Sequence, residues 1–223
     1  MGYDYLIFFI SIGITLLAQA FVTTNYNKYK RVETKSQKSG FEVARQILDE
    51  NGLNDVYVVE TQGTLSDHYD PRRKTIRLSK DIFHGTTVAA NAVAAHEVGH
   101  AIQHKEGYSP LKIRNMILPL ANLGSKLGYI VIVISFIAGI TDLLWLGIGL
   151  IALMLLFQLL TLPVEFNASS RAKEKLKTMG FLNETESTGA NNVLTAAALT
   201  YVASVLTALL EILRLVLIAR SDD

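Results

Sequence analysis

The chain has 223 residues, half of them hydrophobic, a formal net charge of +1 and no cysteine, and its mean hydropathy is positive. This balance points to a membrane protein rather than an ordinary soluble domain, and it lacks the basic excess of a nucleic-acid binder. Without cysteine there are no disulfide staples, thiolate metal sites or cysteine nucleophiles.

The first element is an uncharged run from Tyr5 to Val22, long enough to cross a hydrocarbon core of about 30 Å. Ala18-Gln19-Ala20 near its end has the small-residue pattern of a cleavable signal peptide. The Met-Gly-Tyr-Asp start carries no Lys or Arg, which favours a retained helix. Next, Phe41, Ala44, Ile47 and Leu48 share one helical face and Asn51-Gly52 stops the helix. Val56 to Glu60 reads as a strand, and residues 65–78 as two strands joined at Asp70-Pro71. Thr86 to His104 is an Ala- and Val-rich helix closed by Gly107.

Two apolar runs follow, Leu127 to Ile140 and Leu143 to Leu162, with only Thr141-Asp142 between them, so they predict a membrane hairpin. The last apolar run, Val193 to Ile218, contains Glu211 and Arg214, spaced to neutralise one another on one face. Basic residues collect after the first membrane run (Lys28, Lys30, Arg31, Lys35, Lys38) and after the third (Arg171, Lys173, Lys175, Lys177). The positive-inside rule therefore puts 24–116 and 163–192 on the cytoplasmic side. Arg220, at the opposite end of the last span, is offset by Asp222 and Asp223.

The chemistry-bearing segment is Ala95-His96-Glu97-Val98-Gly99-His100-Ala101. Histidines four apart stack on one helical face, where both imidazoles reach a single Zn²⁺. Glu97 lies about 100° round the helix, placed to take a proton from the zinc-bound water and later to protonate the leaving amine. A catalytic zinc needs a third protein ligand. His104 continues the spacing but lies about 12 Å along the helix from His96, too far to share the ion, and His84 reads as a solvated loop residue. The best third ligand is Glu165, at the cytoplasmic end of the third membrane run. An acid at that boundary is costly unless solvated or bound.

The HEVGH segment with Ile102-Gln103, the run Asp67-His68-Tyr69-Asp70-Pro71 and the run Glu165-Phe166-Asn167-Ala168-Ser169 together resemble the YugP-type neutral zinc metallopeptidases of bacterial membranes. A more distant likeness is to the HtpX and CaaX prenyl protease types. The resemblance implies His96, His100 and Glu165 as zinc ligands and Glu97 as catalytic base. It also implies Asp at position 167, where this chain has Asn167. An Asp there could orient a ligand histidine, although two residues on from Glu165 the helix has turned by about 200°. His68 or Tyr69 could stabilise an oxyanion, but Asp-His-Tyr-Asp-Pro is equally a plain turn. Arg171 has no assigned role.

The expected fold class is α+β: a mainly helical polytopic membrane protein with about four transmembrane helices and a small cytoplasmic zincin-like domain holding a short β-sheet. The expected divisions are 1–23 (first span), 24–116 (HEVGH domain), 117–162 (hairpin), 163–192 (helix with the third ligand) and 193–223 (last span and tail). The expected activity is zinc-dependent endopeptidase cleavage at the cytoplasmic membrane face. The lipid bilayer and protein or peptide substrates, membrane proteins among them, are the expected partners, with no nucleic acid. The competing reading is a non-catalytic zinc-binding scaffold. A transporter is set aside, because few polar residues punctuate the membrane runs.

Overall fold

The computed structural model describes residues 2–221, so Met1, Asp222 and Asp223 lie outside the described residues. Seven helices and one sheet follow among the described residues in the order α1 (Gly2–Tyr29), α2 (Gly40–Glu50), β1 (Tyr57–Thr61), β2 (His68–Asp70), β3 (Thr75–Ser79), α3 (Lys80–Phe83), α4 (Val88–Glu106), α5 (Ser109–Ala138), α6 (Thr141–Thr178) and α7 (Glu184–Ser221). Among the described residues, four helices are long and apolar enough to cross a membrane: α1, α5, α6 and α7.

The chain divides into two compact units. One holds Met1–Gln19, Ser109–Pro163 and Leu199–Asp223; the other holds Ala20–Tyr108 and Val164–Ala198. The first is the apolar one. Its core gathers Ile132 of α5, Leu144, Ile148 and Ile151 of α6, and Leu215 and Ala219 of α7. Most other large apolar side chains face outward, including Phe9, Leu17, Ile137 and Leu146, the reverse of a soluble surface. Glu211 and Arg214 form the two-pronged pair their spacing predicts, with N–O distances of 3.0 and 2.6 Å. α5 begins at Ser109, well before the apolar run at 127–140, because Lys112, Arg114 and Lys126 ride on the same continuous helix. The hairpin turns at Gly139, which takes the left-handed φ of 66°, and Thr141 and Asp142 already form the first turn of α6.

The second unit is α+β. Its sheet has the order β1-β3-β2, with β1 parallel and β2 antiparallel to β3. Ile76 and Leu78 of β3 are fully buried and pack with Val43, Ile47 and Leu48 of α2 and with Val88, Ala92, Ala95 and Val98 of α4. Leu176, Phe181 and Leu194 complete this core. Three local devices set the helix ends. Ser39 and Glu42 make a reciprocal capping box at α2, Thr87 caps α4 through the Ala90 amide, and Gly107 ends α4 in the left-handed conformation.

Candidate metal centre

α4 turns one stripe of its surface toward α6: His96, Gly99, His100 and Gln103, spaced as one helical face requires. Small residues on both sides let the helices approach. A Cβ on Gly99 would sit 2.7 Å from the carbonyl oxygen of Ala168, so the position has no room for any side chain. That approach brings Glu165, which precedes Ala168 by three residues on α6, over the two histidines.

Glu165 Oε2 lies 3.3 Å from His96 Nε2 and 3.7 Å from His100 Nε2. The three candidate ligand atoms all fall within 4.8 Å of one another. Oε2 is buried and makes no hydrogen bond, an expensive state for a carboxylate oxygen. Atoms bound to one tetrahedral zinc at about 2.0–2.1 Å stand about 3.3 Å apart. The spacing and the missing hydrogen bond both fit a cation, and a carboxylate with two imidazoles is a donor set suited to zinc.

The outward nitrogens of both histidines have partners, which turns both Nε2 atoms toward the centre. His96 Nδ1 faces Ser169 Oγ at 3.2 Å, and His100 Nδ1 faces Gln103 Oε1 at 3.1 Å. The second bond has a definite direction. Gln103 Nε2 donates to the Val164 carbonyl at 2.8 Å and to Asn167 Oδ1 at 2.9 Å, so its oxygen is the atom left to accept from His100. Arg171 Nε donates to the same Asn167 oxygen at 2.8 Å, and the Arg171 guanidinium also holds Glu106 at 2.6 Å. Gln103 is fully buried. Asn167 thus supports the site one step removed, through Gln103. An Asp at 167 would accept the same two bonds, so losing the charge does not break the chain.

Glu97 is buried next to this cluster. Burial pushes its carboxyl above the usual carboxylate range, and His96 and His100 only partly offset this. For His100, burial pulls the imidazole down, but the Glu165 and Glu97 carboxylates outweigh it and leave the pKa raised. The same negative field would attract a divalent cation.

The other residues singled out in the sequence make their hydrogen bonds elsewhere, although Asp67 is near enough to Glu97 for its charge to raise that carboxyl further. Tyr69 Oη is 2.9 Å from His104 Nδ1, while His68 is exposed with its ring against the Ser66 carbonyl at 2.8 Å. Asp70 accepts from the Arg72 and Arg73 amides, as a turn residue does, and Asp67 accepts from the Ser79 amide and hydroxyl. His84 pairs with Glu60 on the surface at 2.7 Å. Sequence reasoning missed Gly99, Gln103 and Ser169 as parts of the site. Their signal was present in register: Gly99 and Gln103 share the histidine face of α4, and Ser169 lies one turn on from Glu165.

Residues 4–220 match the protein family described as "Putative neutral zinc metallopeptidase". The chain belongs to this family. Within the neutral zinc metallopeptidases it is similar to "Putative membrane protease YugP" of Bacillus subtilis (strain 168), with 48% identity over 208 residues, covering 93% of this chain and 92% of that protein. No solved structure matches the chain.

Proposed function

We propose that the chain is a membrane-embedded, zinc-dependent endopeptidase, with His96, His100 and Glu165 holding the ion and Glu97 acting as general base. The observation that carries this reading is the buried Glu165 Oε2, which has two imidazole nitrogens beside it and no hydrogen bond. The family and its protease-named relative support it. When bound, zinc supplies Lewis acidity to the site. Glu97 takes a proton from the attacking water and delivers it to the amine nitrogen as the peptide bond breaks. Gln103 holds His100 in the tautomer that leaves Nε2 free, and Ser169 fixes the orientation of the His96 ring. The low exposure of Glu97 and Glu165 limits competing bulk water around the carboxylates.

Glu165 lies two residues beyond Pro163 on α6, a membrane-crossing candidate. Lys and Arg collect in 24–116 and 163–192 while the Met-Gly-Tyr-Asp start and the Thr141-Asp142 turn have none, which supports a cytoplasmic site. Substrates are then membrane proteins or their juxtamembrane segments.

The test uses the purified full-length protein in lipid vesicles. It is expected to contain one zinc per chain, and to cleave a membrane-anchored reporter faster than the same segment without an anchor. Glu97→Gln is expected to keep the zinc and lose cleavage. Equal cleavage of both reporters would remove the membrane-substrate reading. Full cleavage by Glu97→Gln would remove the mechanism, and zinc-dependent folding with no proteolysis would favour a scaffold.

A further inference from the structure

Gly124 and Gly128 let α5 lie close against α6. A Cβ on Gly124 would stand 2.8 Å from the Leu150 carbonyl oxygen, and one on Gly128 would stand 2.8 Å from the Ile151 side chain. Glycines four apart in this way mark the contact face of a membrane helix. Lys126 lies between them, two positions from each, so its side chain leaves the helix about 200° away from that face. Its neighbours Leu123, Leu127 and Ile130 are 56%, 42% and 54% exposed, and Lys126 is exposed with them. Asn122, one turn nearer the start of α5, is exposed too. Neither side chain forms a hydrogen bond or ion pair with another described residue.

The contacts with α6 give the depth. Gly124 and Gly128 face Leu150 and Ile151, so Lys126 stands level with that turn. From Leu143, where the apolar run of α6 begins, to Ile151 is about 12 Å, and from Ile151 to Leu162, where it ends, is about 17 Å. The Lys126 backbone is thus near the middle of a hydrocarbon core of about 30 Å. Its four-carbon stem reaches about 6 Å, which leaves the ammonium well short of either headgroup layer. A charge at this depth is costly to leave unpaired, and one that faces out of its own fold calls for a partner from outside. The charges deep in α7 show the other solution, since Glu211 and Arg214 neutralise each other.

We propose that the Asn122–Lys126 face of α5 docks the transmembrane helix of a partner protein that carries an Asp or Glu near its middle. Helical side chains lean toward the N-terminal turn, which carries the ammonium toward Asn122. The Asn122 amide N–H and the Lys126 ammonium then donate to the two oxygens of one carboxylate. Leu123, Leu127 and Ile130 surround the pair with apolar groups, which strengthens it. A second copy of this chain fits less well. A two-fold pairing through α5 sets Lys126 against Lys126, and the chain's own Glu211 is already held by Arg214. A lipid phosphate sits in the headgroup layer, out of reach of the ammonium. The docking face requires α5 and α6 to cross the bilayer, as in the membrane-embedded reading above, but not the peptidase chemistry.

The experiment uses the full-length protein in lipid vesicles, with a photo-crosslinking amino acid at Leu123. The probes are single-span Leu/Ala peptides that differ only at the central residue, which is Asp, Leu or Lys. The Asp peptide is expected to crosslink about tenfold more than the Leu peptide, the worth of one interhelical polar contact in a bilayer. Lys126→Met should remove that preference, and Lys126→Asp should reverse it in favour of the Lys peptide. A general loss of structure cannot imitate the reversal. Equal crosslinking of the Asp and Leu peptides, a preference that survives Lys126→Met, self-crosslinking of two copies in place of the peptide, or crosslinks to lipid alone would overturn the proposal. Leu127→Cys, which would be the sole thiol of the chain, checks the depth. It should resist a water-soluble maleimide in intact vesicles; rapid labelling would overturn the membrane placement on which the docking face depends. Cleavage is no part of the readout. A missing Asp preference leaves the protease reading intact, and a protein that never cleaves can still show the preference.

Discussion

Gly99 of α4 and Ala168 of α6 stand so close that a Cβ on the glycine would lie 2.7 Å from the Ala168 carbonyl oxygen. The neighbour is backbone, which cannot rotate away, so a side chain at 99 must push the helices apart. Gly99→Ala is expected to destabilise the protein by about 1–3 kcal/mol and to move Glu165 off the two histidines. A thermal melt in detergent and the zinc content of the purified protein check this; unchanged zinc would mean the contact does not set the site.

Glu165→Ala should purify with little or no zinc, and chelation should lower the melting temperature of the wild type more than that of the variant. Glu165→Gln keeps the volume but weakens the donor, so it should fall between them. Equal chelator sensitivity of wild type and Glu165→Ala would remove Glu165 from the ligand set.

Glu97→Gln preserves shape and removes the proposed base. Zinc content should be unchanged and cleavage should fall by about 10²–10⁴-fold, the usual contribution of a positioned acid–base group. Loss of zinc in this variant would instead make Glu97 a ligand.

Gln103→Leu leaves His100 Nδ1 and the Val164 carbonyl without their partner. Metal affinity should fall about 10–100-fold, as for other groups that orient a metal-binding histidine, measured by competition with a chelator. Asn167→Asp, which keeps both accepted bonds, should retain zinc, whereas Asn167→Leu should lose affinity in the same direction as Gln103→Leu.

Asp67 gives a pH-dependent signature. Burial raises its carboxyl above the ordinary range, and the Ser79 hydrogen bonds recover only part of the cost. The folded state therefore holds this proton more tightly than the unfolded state, so the contribution favours folding at low pH. It is lost as pH rises from the ordinary Asp value of about 3.9 through the raised folded value. Melts of wild type and Asp67→Asn across that window should show the wild type losing stability relative to the variant as pH increases; parallel curves would count against it.

The sequence shows the two histidines, the acid between them and a boundary glutamate on a distant helix, and the structure brings His96, His100 and Glu165 together. The histidine spacing is local, and Glu165 stands out because an acid at the end of an apolar run is expensive. What stayed hidden depends on contact between residues far apart in the chain. Nothing near Gln103 says that its amide meets Val164 and Asn167, more than sixty positions on. Helix lengths escaped for another reason. Apolar runs mark where a bilayer can sit, whereas α6 continues to Thr178 through Arg171, Lys173 and Lys175, which helical geometry tolerates and hydropathy does not. Ser11, Gln158 and Thr207 each look isolated in sequence and come to line one cavity only once the helices pack.

The proposed ligands are supplied at two widely separated moments of synthesis. His96 and His100 leave the ribosome with the HEVGH helix, but Glu165 follows only after α5 and most of α6 have been made. Until α6 has been made, the nascent chain carries the proposed general base and two of the three proposed ligands, so on the proposed assignment it has no complete site. If the proposed assignment holds, completing α6 is the arming step, and a chain that stalls or is truncated before residue 165 lacks the third ligand.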